Sequence, residues 1–529
     1  MAAAVKIAPD LYIGKENPQR EQGSRILNAW LADRKLKEAS ANVSTSGRKQ
    51  KARNYAGASS SRLNSGWGST AAPASWHIWQ GLRALRSRSR EQARNNDYAR
   101  KFVNMCKDNI VGHAGIKMQS LAQDFDGTPD KLARDAIESA WKDWSRAMHC
   151  DVTGRTSLTQ MLQLIIATVA VDGECLVRRV TGGHYAFQLQ LIDPELLDIR
   201  FNETRANGVH IRMGVETDKH GKAVAYHLLE GSNVGVSQSG YNATNRIRVP
   251  ADEIIHLYLP EAIDQVRGVP WMASALISMK HLGKYIEAAV VNARIGASKM
   301  GFFTSMDGEG TDALADDETD EGEFIQDAEP GAMEVLPEGY DFKSFNPDYP
   351  HQQFGDFVKQ MLRSISSGTS VGYNSLGNDG EGVSYSTMRT FALEEREHWK
   401  TKQAWLVDAL MLPLFEAWLD VQLAIGTIRV PTETDGMRPL PANRFEKFRN
   451  ISFQPRRWAW VDPAKEMVAN QTAIELGLKS RSEIIRDMGR DPDEVWAEIE
   501  KENTMLKDFG LGGLTGNSQE KLMEAAKDV

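Results

Sequence analysis

Residues 269–298 read VPWMASALISMKHLGKYIEAAVVNARIGAS, and their apolar positions Met272, Leu276, Met279, Leu282, Ile286, Ala289 and Val290 keep to one face of a helix. At a rise of about 1.5 Å per residue, about 30 residues span about 45 Å, which is long for a globular domain. A second helical pattern, from about Ser386 to Ile425, carries Phe391, Trp399, Leu406, Leu410, Leu414 and Trp418 and reaches about 60 Å if unbroken. Pro413 lacks an amide donor and crowds the carbonyl of Ala409, which predicts a kink there.

Between these helices lie an acidic stretch, the strand-like strings AMEVLP and YDFKSF, a shorter helix from His351 to about Thr369, and VGYNSLGNDGEGVSYS at 371–386. That last string holds four glycines with Asn374, Asn378 and Asp379, a composition suited to a flexible excursion rather than a packed turn. Upstream, helices are expected at Trp76–Arg90, at Gln92–Asn109 with a buried stripe of Tyr98, Phe102, Met105 and Cys106, and near Pro129–Met148 with Leu132, Ile137, Trp141 and Trp144. An apolar run from Leu158 to Val171 leads into a turn at Asp172-Gly173. Strand patterns follow at Leu176 and Val177, at the alternating Tyr185, Phe187, Leu189 and Leu191, and in AYHLLE and EIIHLYL. Residues 110–260 therefore read as an α+β body, and the whole chain as α+β and helix-rich. Downstream, Asp462-Pro463, Ser480 with Glu483, and Asp491-Pro492 with Glu494 mark the starts of three short helices at 463–476, 481–488 and 492–507.

The chain has 529 residues and a net charge of −8, which argues against a simple DNA-coating protein, because sequence-independent duplex affinity comes from lysine and arginine. The charge is unevenly spread. Residues 1–100 carry 18 basic and 7 acidic side chains, with no acid between Ala39 and Arg90, whereas Met300–Phe342 has 14 acids and no lysine or arginine. Such blocks read first as solvated faces or tails. Residues 40–75 are rich in serine, glycine, alanine and arginine and cannot offset their ordering entropy by burial. Three cysteines, Cys106, Cys150 and Cys175, form no CxxC pair, which speaks against a disulfide framework or zinc site and fits a reducing cytoplasm. Neither a signal peptide nor a membrane span is expected.

No catalytic signature is found: the sequence has no GxxxxGK[ST] or HExxH, so neither a P-loop motor nor a zinc hydrolase of that class fits. Glu394, Glu395, Glu397 and His398 read as a solvated helical face, since a metal site needs convergence from other elements. Asp172 and Glu174 read as turn-flanking residues rather than paired carboxylates. His256 and His281 read as satisfied core or boundary residues. No cofactor, metal or catalytic residue is expected, and the chain reads as structural.

Several strings, in order, resemble the lambda-type family of tailed-bacteriophage portal proteins over about residues 76–505. They are RSRSREQARNNDYARKFVNMCKDNIVGHAGI, VAVDGECLVRRV, FQLQLIDPELL, VPADEIIHLYLPEAIDQVRGVPWMASAL, SYSTMRTFALEEREHWK, and WVDPAKEMVANQTAIELGLKSRSEIIRDMGRDPDEVWAEIEKEN. The resemblance implies a non-enzymatic, dodecameric ring at one capsid vertex, with wing, stem, clip and crown regions around a central DNA channel. Residues 1–75 read by composition as a flexible basic arm; mapped onto the rest of the sequence, the resemblance implies a wing (76–268), first stem helix (269–298), clip (299–349), second stem helix (350–370) and tunnel loop (371–385). A long kinked wing helix (386–425, kinked at Pro413), a wing return segment (426–461), a helical crown (462–510) and a loose tail (511–529) complete the chain.

The implied partners are double-stranded DNA without sequence specificity, the terminase large subunit that drives packaging, major capsid and scaffold proteins, and head-completion or tail-connector proteins, with no membrane. The implied location is the portal vertex of the virion, reached from the host cytoplasm during assembly. Tyr373, Asn374, Ser375, Asn378 and Asp379 of the loop, with Lys359 and Arg363 one turn apart, are the candidate channel residues. Asp316, Asp317, Glu318, Asp320, Glu321 and Glu323 are candidates for a negative collar that repels DNA or docks the motor. The rival readings are a capsid adaptor that forms no ring and a DNA-processing hydrolase.

Overall fold

The computed structural model describes residues 5–8, 11–13, 72–205, 208–230, 245–297, 301–305, 340–344, 353–432, 436–458 and 463–508. It divides into two units, residues 1–71 and 72–529. In the first, β1 (Val5–Ala8) pairs antiparallel with β2 (Leu11–Ile13). The rest of the expected basic arm as far as residue 71, the acidic cluster 316–323, AMEVLP and the expected tail lie outside the described residues, while the last two residues of the expected arm, from Ala74, already belong to a helix.

The second unit opens with α1 (Ala74–Asn95) and α2 (Asp97–Cys106), divided at Asn96, whose side chain accepts the amides of Tyr98 and Ala99 and caps α2. A π turn, Lys107–Val111, leads to β3 (Lys117–Ser120), α3 (Lys131–Trp144) capped by Asp130, α4 (Ala147–Cys150) and α5 (Leu158–Asp172). The Ser157–Gln160 capping box starts α5, and its nearly continuous apolar sequence is buried. Gly173 ends it with φ +89°, and a Cβ there would lie 2.3 Å from the Val269 carbonyl carbon. A Cβ on Gly268 would lie 2.0 Å from the Gly173 oxygen. Two glycines thus let one backbone cross the other in direct contact.

Next come β4 (Glu174–Val180) and β5 (Gln188–Ile192). Tyr185 and Phe187 are buried but precede the strand expected to contain them, because Ala186 turns the chain at φ 49° and Trp144 Nε1 donates to the Phe187 carbonyl at 2.8 Å. Strands β6 (Glu203–Thr204), β7 (His210–Arg212), β8 (Val215–Thr217), β9 (Ala223–Leu229) and β10 (Arg246–Pro250) form an antiparallel sheet in the order β10-β9-β8-β7-β6. β11 (Ile254–Tyr258) returns to β4, giving a second sheet in the order β11-β4-β5. Leu176, Val215, Tyr226, Leu228, Val249 and Ile254 form a small core that bridges the two sheets.

Helix α6 (Leu276–Ala297) has 22 residues and spans about 33 Å. It starts seven residues later than the sequence pattern suggested. Residues 270–275 instead turn through short bonds, Ala273 to Pro270 and Ala275 to Met272, while the Trp271 amide donates to the Ala170 carbonyl at the end of α5. Met272, Leu276, Met279, Leu282 and Ala289 are buried as the stripe predicts, but Val290 is 54% exposed. His281 is exposed rather than at the core or its boundary. β12 (Gly301–Ser305) pairs antiparallel with β13 (Tyr340–Ser344), which places YDFKS in a strand as expected.

Helix α7 (Phe354–Thr369) abuts the segment leading into α6, where Ser274 Oγ donates to the Gly368 carbonyl at 2.6 Å. The glycine-rich string then forms a short helix, α8 (Tyr373–Gly377), with Leu376 buried, so it is more ordered than its composition suggested. The second long helix divides into α9 (Tyr385–Leu406), a π turn at Val407–Met411 and α10 (Leu412–Ile425). In the π turn the Leu412 amide donates to the Val407 carbonyl, so the ladder leaves α register just before Pro413, the second residue of α10, which has no proton to donate. β14 (Arg429–Pro431), β15 (Met437–Pro439), α11 (Phe445–Phe448) and β16 (Ile451–Gln454) follow, and β16 pairs with β3. Helices α12 (Pro463–Glu475), α13 (Arg481–Asp487) and α14 (Pro492–Asp508) match the three expected; Ser480 accepts the Glu483 amide and Asp491 the Asp493 amide.

The main core joins α3, α10 and β16. The Trp141 ring lies 4.8 Å from Trp144, 5.1 Å from Trp418 and 5.5 Å from Phe415, and each such aromatic pair contributes about 0.5–1.5 kcal/mol beyond area burial. On α3 the buried face is Ala133, Ile137, Trp141 and Trp144, which leaves Leu132, one position out of phase, 55% exposed. Phe391 is also exposed, because α9 buries side chains only from Trp399 onward. Cys106, Cys150 and Cys175 are buried and unbridged. Among the described residues no helix is long and apolar enough to cross a membrane.

Candidate functional site

Of the expected residues, Tyr373, Asn374, Ser375 and Asp379 of the loop and the basic Lys359 and Arg363 line one cleft of about 950 Å³, bounded by α7, α8, the 379–384 turn and the first half of α9, while Asn378 is not in its lining. Two non-glycine residues in the left-handed region, Ser370 (φ 55°) and Asn378 (φ 53°), close α7 and α8 and set its corners. Lys101 on α2 donates to Asn378 Oδ1. Tyr373 Oη donates to Asp379 Oδ2 at 2.6 Å, and Arg363 stacks 5.4 Å above the Tyr373 ring. Lys359 Nζ lies 3.5 Å from Glu381 and 3.9 Å from Asp379. The hydrogen bond from Tyr373 holds the Asp379 carboxyl below the usual range, while burial and Asp379 push the Tyr373 phenol up to about 12.

Across the cleft, Ser375 Oγ donates to Glu395 Oε2 at 2.7 Å, and Trp399 Nε1 donates to the other Glu395 oxygen at 3.3 Å. Asn374 Nδ2 donates to Met388 Sδ at 3.4 Å. His398 also lines the cleft; burial, and then Lys402, lower it to about 4, so it is neutral at pH 7. The polar string on α9 is therefore split: Glu394 and Glu397 are solvated as expected, whereas Glu395 is committed to Ser375 and Trp399. No group of three or more His, Cys, Asp or Glu able to hold a metal occurs among the described residues. The ionised side chains lining the cleft are Lys359 and Arg363 against Asp379, Glu381, Glu394 and Glu395. Its walls are thus net acidic, and both cations already face internal partners.

A second constellation was not foreseen. Glu174, read as turn-flanking, is completely buried at the head of β4. It accepts from Arg86 at 2.6 Å, Arg267 at 2.7 Å and the Gly268 amide at 2.7 Å, with His256 Nε2 at 3.1 Å. Burial alone would raise this carboxyl; Arg267, Arg86 and His256 override it and hold the carboxyl well below the usual range. Arg267, also fully buried, donates to the carbonyls of Met213 at 2.6 Å and Leu197 at 3.2 Å. Beside it, Arg90 grips Asp172 through both oxygens and reaches Asp193 at 2.8 Å. The cluster pins α1, both sheets and the 265–268 segment to one carboxylate. The signal in the sequence was Glu174 directly before the apolar CLV and Arg267 within QVRGVP.

A sequence model of the family described as phage portal protein, lambda family, matches residues 60–403. The chain belongs to this family. The probable portal protein of Halomonas phage phiHAP-1 is 34% identical to it over 466 residues, covering 87% of this chain and 88% of the relative. Portal protein B of Escherichia phage lambda is 22% identical over 471 residues, covering 80% and 84%. Among solved structures, a chain from the neck of an empty gene transfer agent particle aligns with a TM-score of 0.41 at 14% identity, over 78% of this chain and 95% of that one. This portal protein is thus a component of a phage particle, and it performs the portal function on a helix-rich α+β fold.

Proposed function

We propose that copies of this portal protein close into a dodecameric ring whose axis is the passage for double-stranded DNA into and out of the capsid. One observation supports assembly above the rest. Helix α12 buries no side chain, and Met467 and Val468 on it are 61% exposed. A 13-residue helix with one uncovered apolar face is marginal in water, so neighbouring copies cover it. Val290, Val291 and Ile277 leave a comparable apolar face on α6.

In this reading α6 and α7 are the stem struts, the β12–β13 pair belongs to the clip, α8 and its flanking turns are the tunnel loop, and α12–α14 are the crown. The net-acidic cleft suits a conduit, because tight lysine or arginine contacts would hold phosphates, whereas carboxylates and amides let them slide. The acidic residues 316–323 serve as the collar for the packaging motor and later for head-completion proteins. The protein acts without catalysis, and it meets scaffold and capsid protein in the host cytoplasm before entering the particle.

Negative-stain electron microscopy with mass photometry of the purified protein tests the proposal. Rings of about twelve copies with an open axis are expected; a stable monomer at every salt and protein concentration overturns it.

A further inference from the structure

Helix α1 presents a row of polar side chains, Arg83, Ser87, Arg90 and Arg94, along one groove of about 280 Å³, and Arg200 faces them from the segment before β6. Residues 83 and 94 are eleven positions apart, which places their Cα atoms about 16.5 Å apart along the axis. The charges here are distributed differently from those of the buried cluster. Arg86, on the inner side of α1, and Arg90, at the groove edge, are consumed by Glu174, Asp172 and Asp193. Asp198, in the groove wall, is taken by Arg246 at 2.7 Å with Arg200 at 3.7 Å, and Glu195 lies 3.7 Å from Arg86. Arg83 and Arg94 are exposed, and neither has a carboxylate partner among the described residues. Helix α1 carries five arginines against one glutamate, and it follows a stretch with no acid back to Ala39.

We propose that this groove binds the phosphate backbone of duplex DNA, as a surface separate from the cleft lined by Lys359 and Arg363. Guanidinium groups donate in a planar fork that matches phosphate oxygens, and the Ser87 hydroxyl supplies a further donor between them. An acidic peptide fits less well. A peptide of useful affinity needs an apolar anchor in a pocket, and the lining offers only the half-buried Ile199 and the buried Leu229. A regularly charged polymer needs only the row of cations. The geometry also explains why α1 can carry such charge beside a core: its inner arginine is neutralised by the buried carboxylate, and its outer ones are left for a ligand.

The inference adds a DNA contact to the proposed function without depending on the cleft. Fluorescence anisotropy of the full-length, assembled protein with a short random-sequence duplex, across about 50–200 mM salt, tests it. Replacing Arg83→Gln, Arg94→Gln and Arg200→Gln together is expected to weaken binding at least tenfold at the lowest salt. The slope of log affinity against log salt should fall by about 2–3. Arg90 stays in place because it holds Asp172. A parallel Lys359→Gln, Arg363→Gln variant separates the two readings: if that variant loses binding while the triple variant keeps wild-type affinity and slope, the groove inference fails and the conduit stands. An oligoglutamate that displaces the duplex at matched charge also overturns it. Unchanged ring images and thermal midpoint for the triple variant establish that a loss is local.

Discussion

Arg267 Nε donates to Glu174 Oε1 across 2.7 Å, with neither side chain exposed to solvent. The pair is completed by Arg86, His256 and the Gly268 amide, so two arginines, an imidazole and a backbone amide converge on one carboxylate.

Arg267→Ala leaves that carboxylate with less compensation and orphans the Leu197 and Met213 carbonyls. A loss of about 3–5 kcal/mol is expected, read from urea denaturation. Because the folded-state carboxyl lies below its unfolded value near 4.5, its contribution is present above pH 4.5 and fades as pH falls through the depressed value. Glu174→Gln should remove that part of the acid sensitivity.

Glu138 has the opposite sign. Burial raises its carboxyl to about 7, although the Ser120 amide donates to it at 2.7 Å, and Asp491, Asp135 and Glu494 add to the rise. Its proton-linked stabilisation is complete below pH 4.5 and is lost as pH rises toward 7. Thermal midpoints measured over that interval should decline in the wild type and flatten in Glu138→Gln.

Gly173→Ala combines a left-handed backbone with a Cβ pressed into Val269. A destabilisation of about 3 kcal/mol or more is expected, visible as loss of soluble protein at 37 °C and a lowered midpoint in what remains. Gly221→Ala, equally left-handed but in open space, should cost only about 1–2 kcal/mol.

Val290→Asp with Val291→Asp places charge on the exposed face of α6 without touching the buried Ala289 or Leu282. Circular dichroism and thermal midpoint of the monomer should match the wild type, while mass photometry shows at least a tenfold smaller assembled fraction. A full complement of rings would remove α6 from the contact between copies.

Helices with strong local signals were legible in the sequence. The capping residues Ser480 and Asp491 and the tryptophans of α3 placed their elements within a few residues, because caps and periodicity act within one or two turns. The start of α6 was not legible, since the contact of Trp271 with Ala170 competes for residues that would otherwise be helical. Of the candidate cleft, the co-location of Lys359, Arg363, Tyr373 and Asp379 could be anticipated, but their mutual pairing could not, because it depends on two left-handed corners at Ser370 and Asn378. The Glu174 cluster was missed because its partners are 88 and 93 positions away along the chain.

The same separations set a timetable for synthesis. Arg86 and Arg267 meet at one carboxylate although a ribosome making about 5–20 residues per second needs roughly 10–35 s to travel from one codon to the other. Glu174 follows Arg86 by 88 residues, so for the second half of that interval the carboxylate has its first arginine and lacks its second. The cluster is therefore completed only when the Gln265–Gly268 segment emerges and brings Arg267 and the Gly268 amide to Glu174.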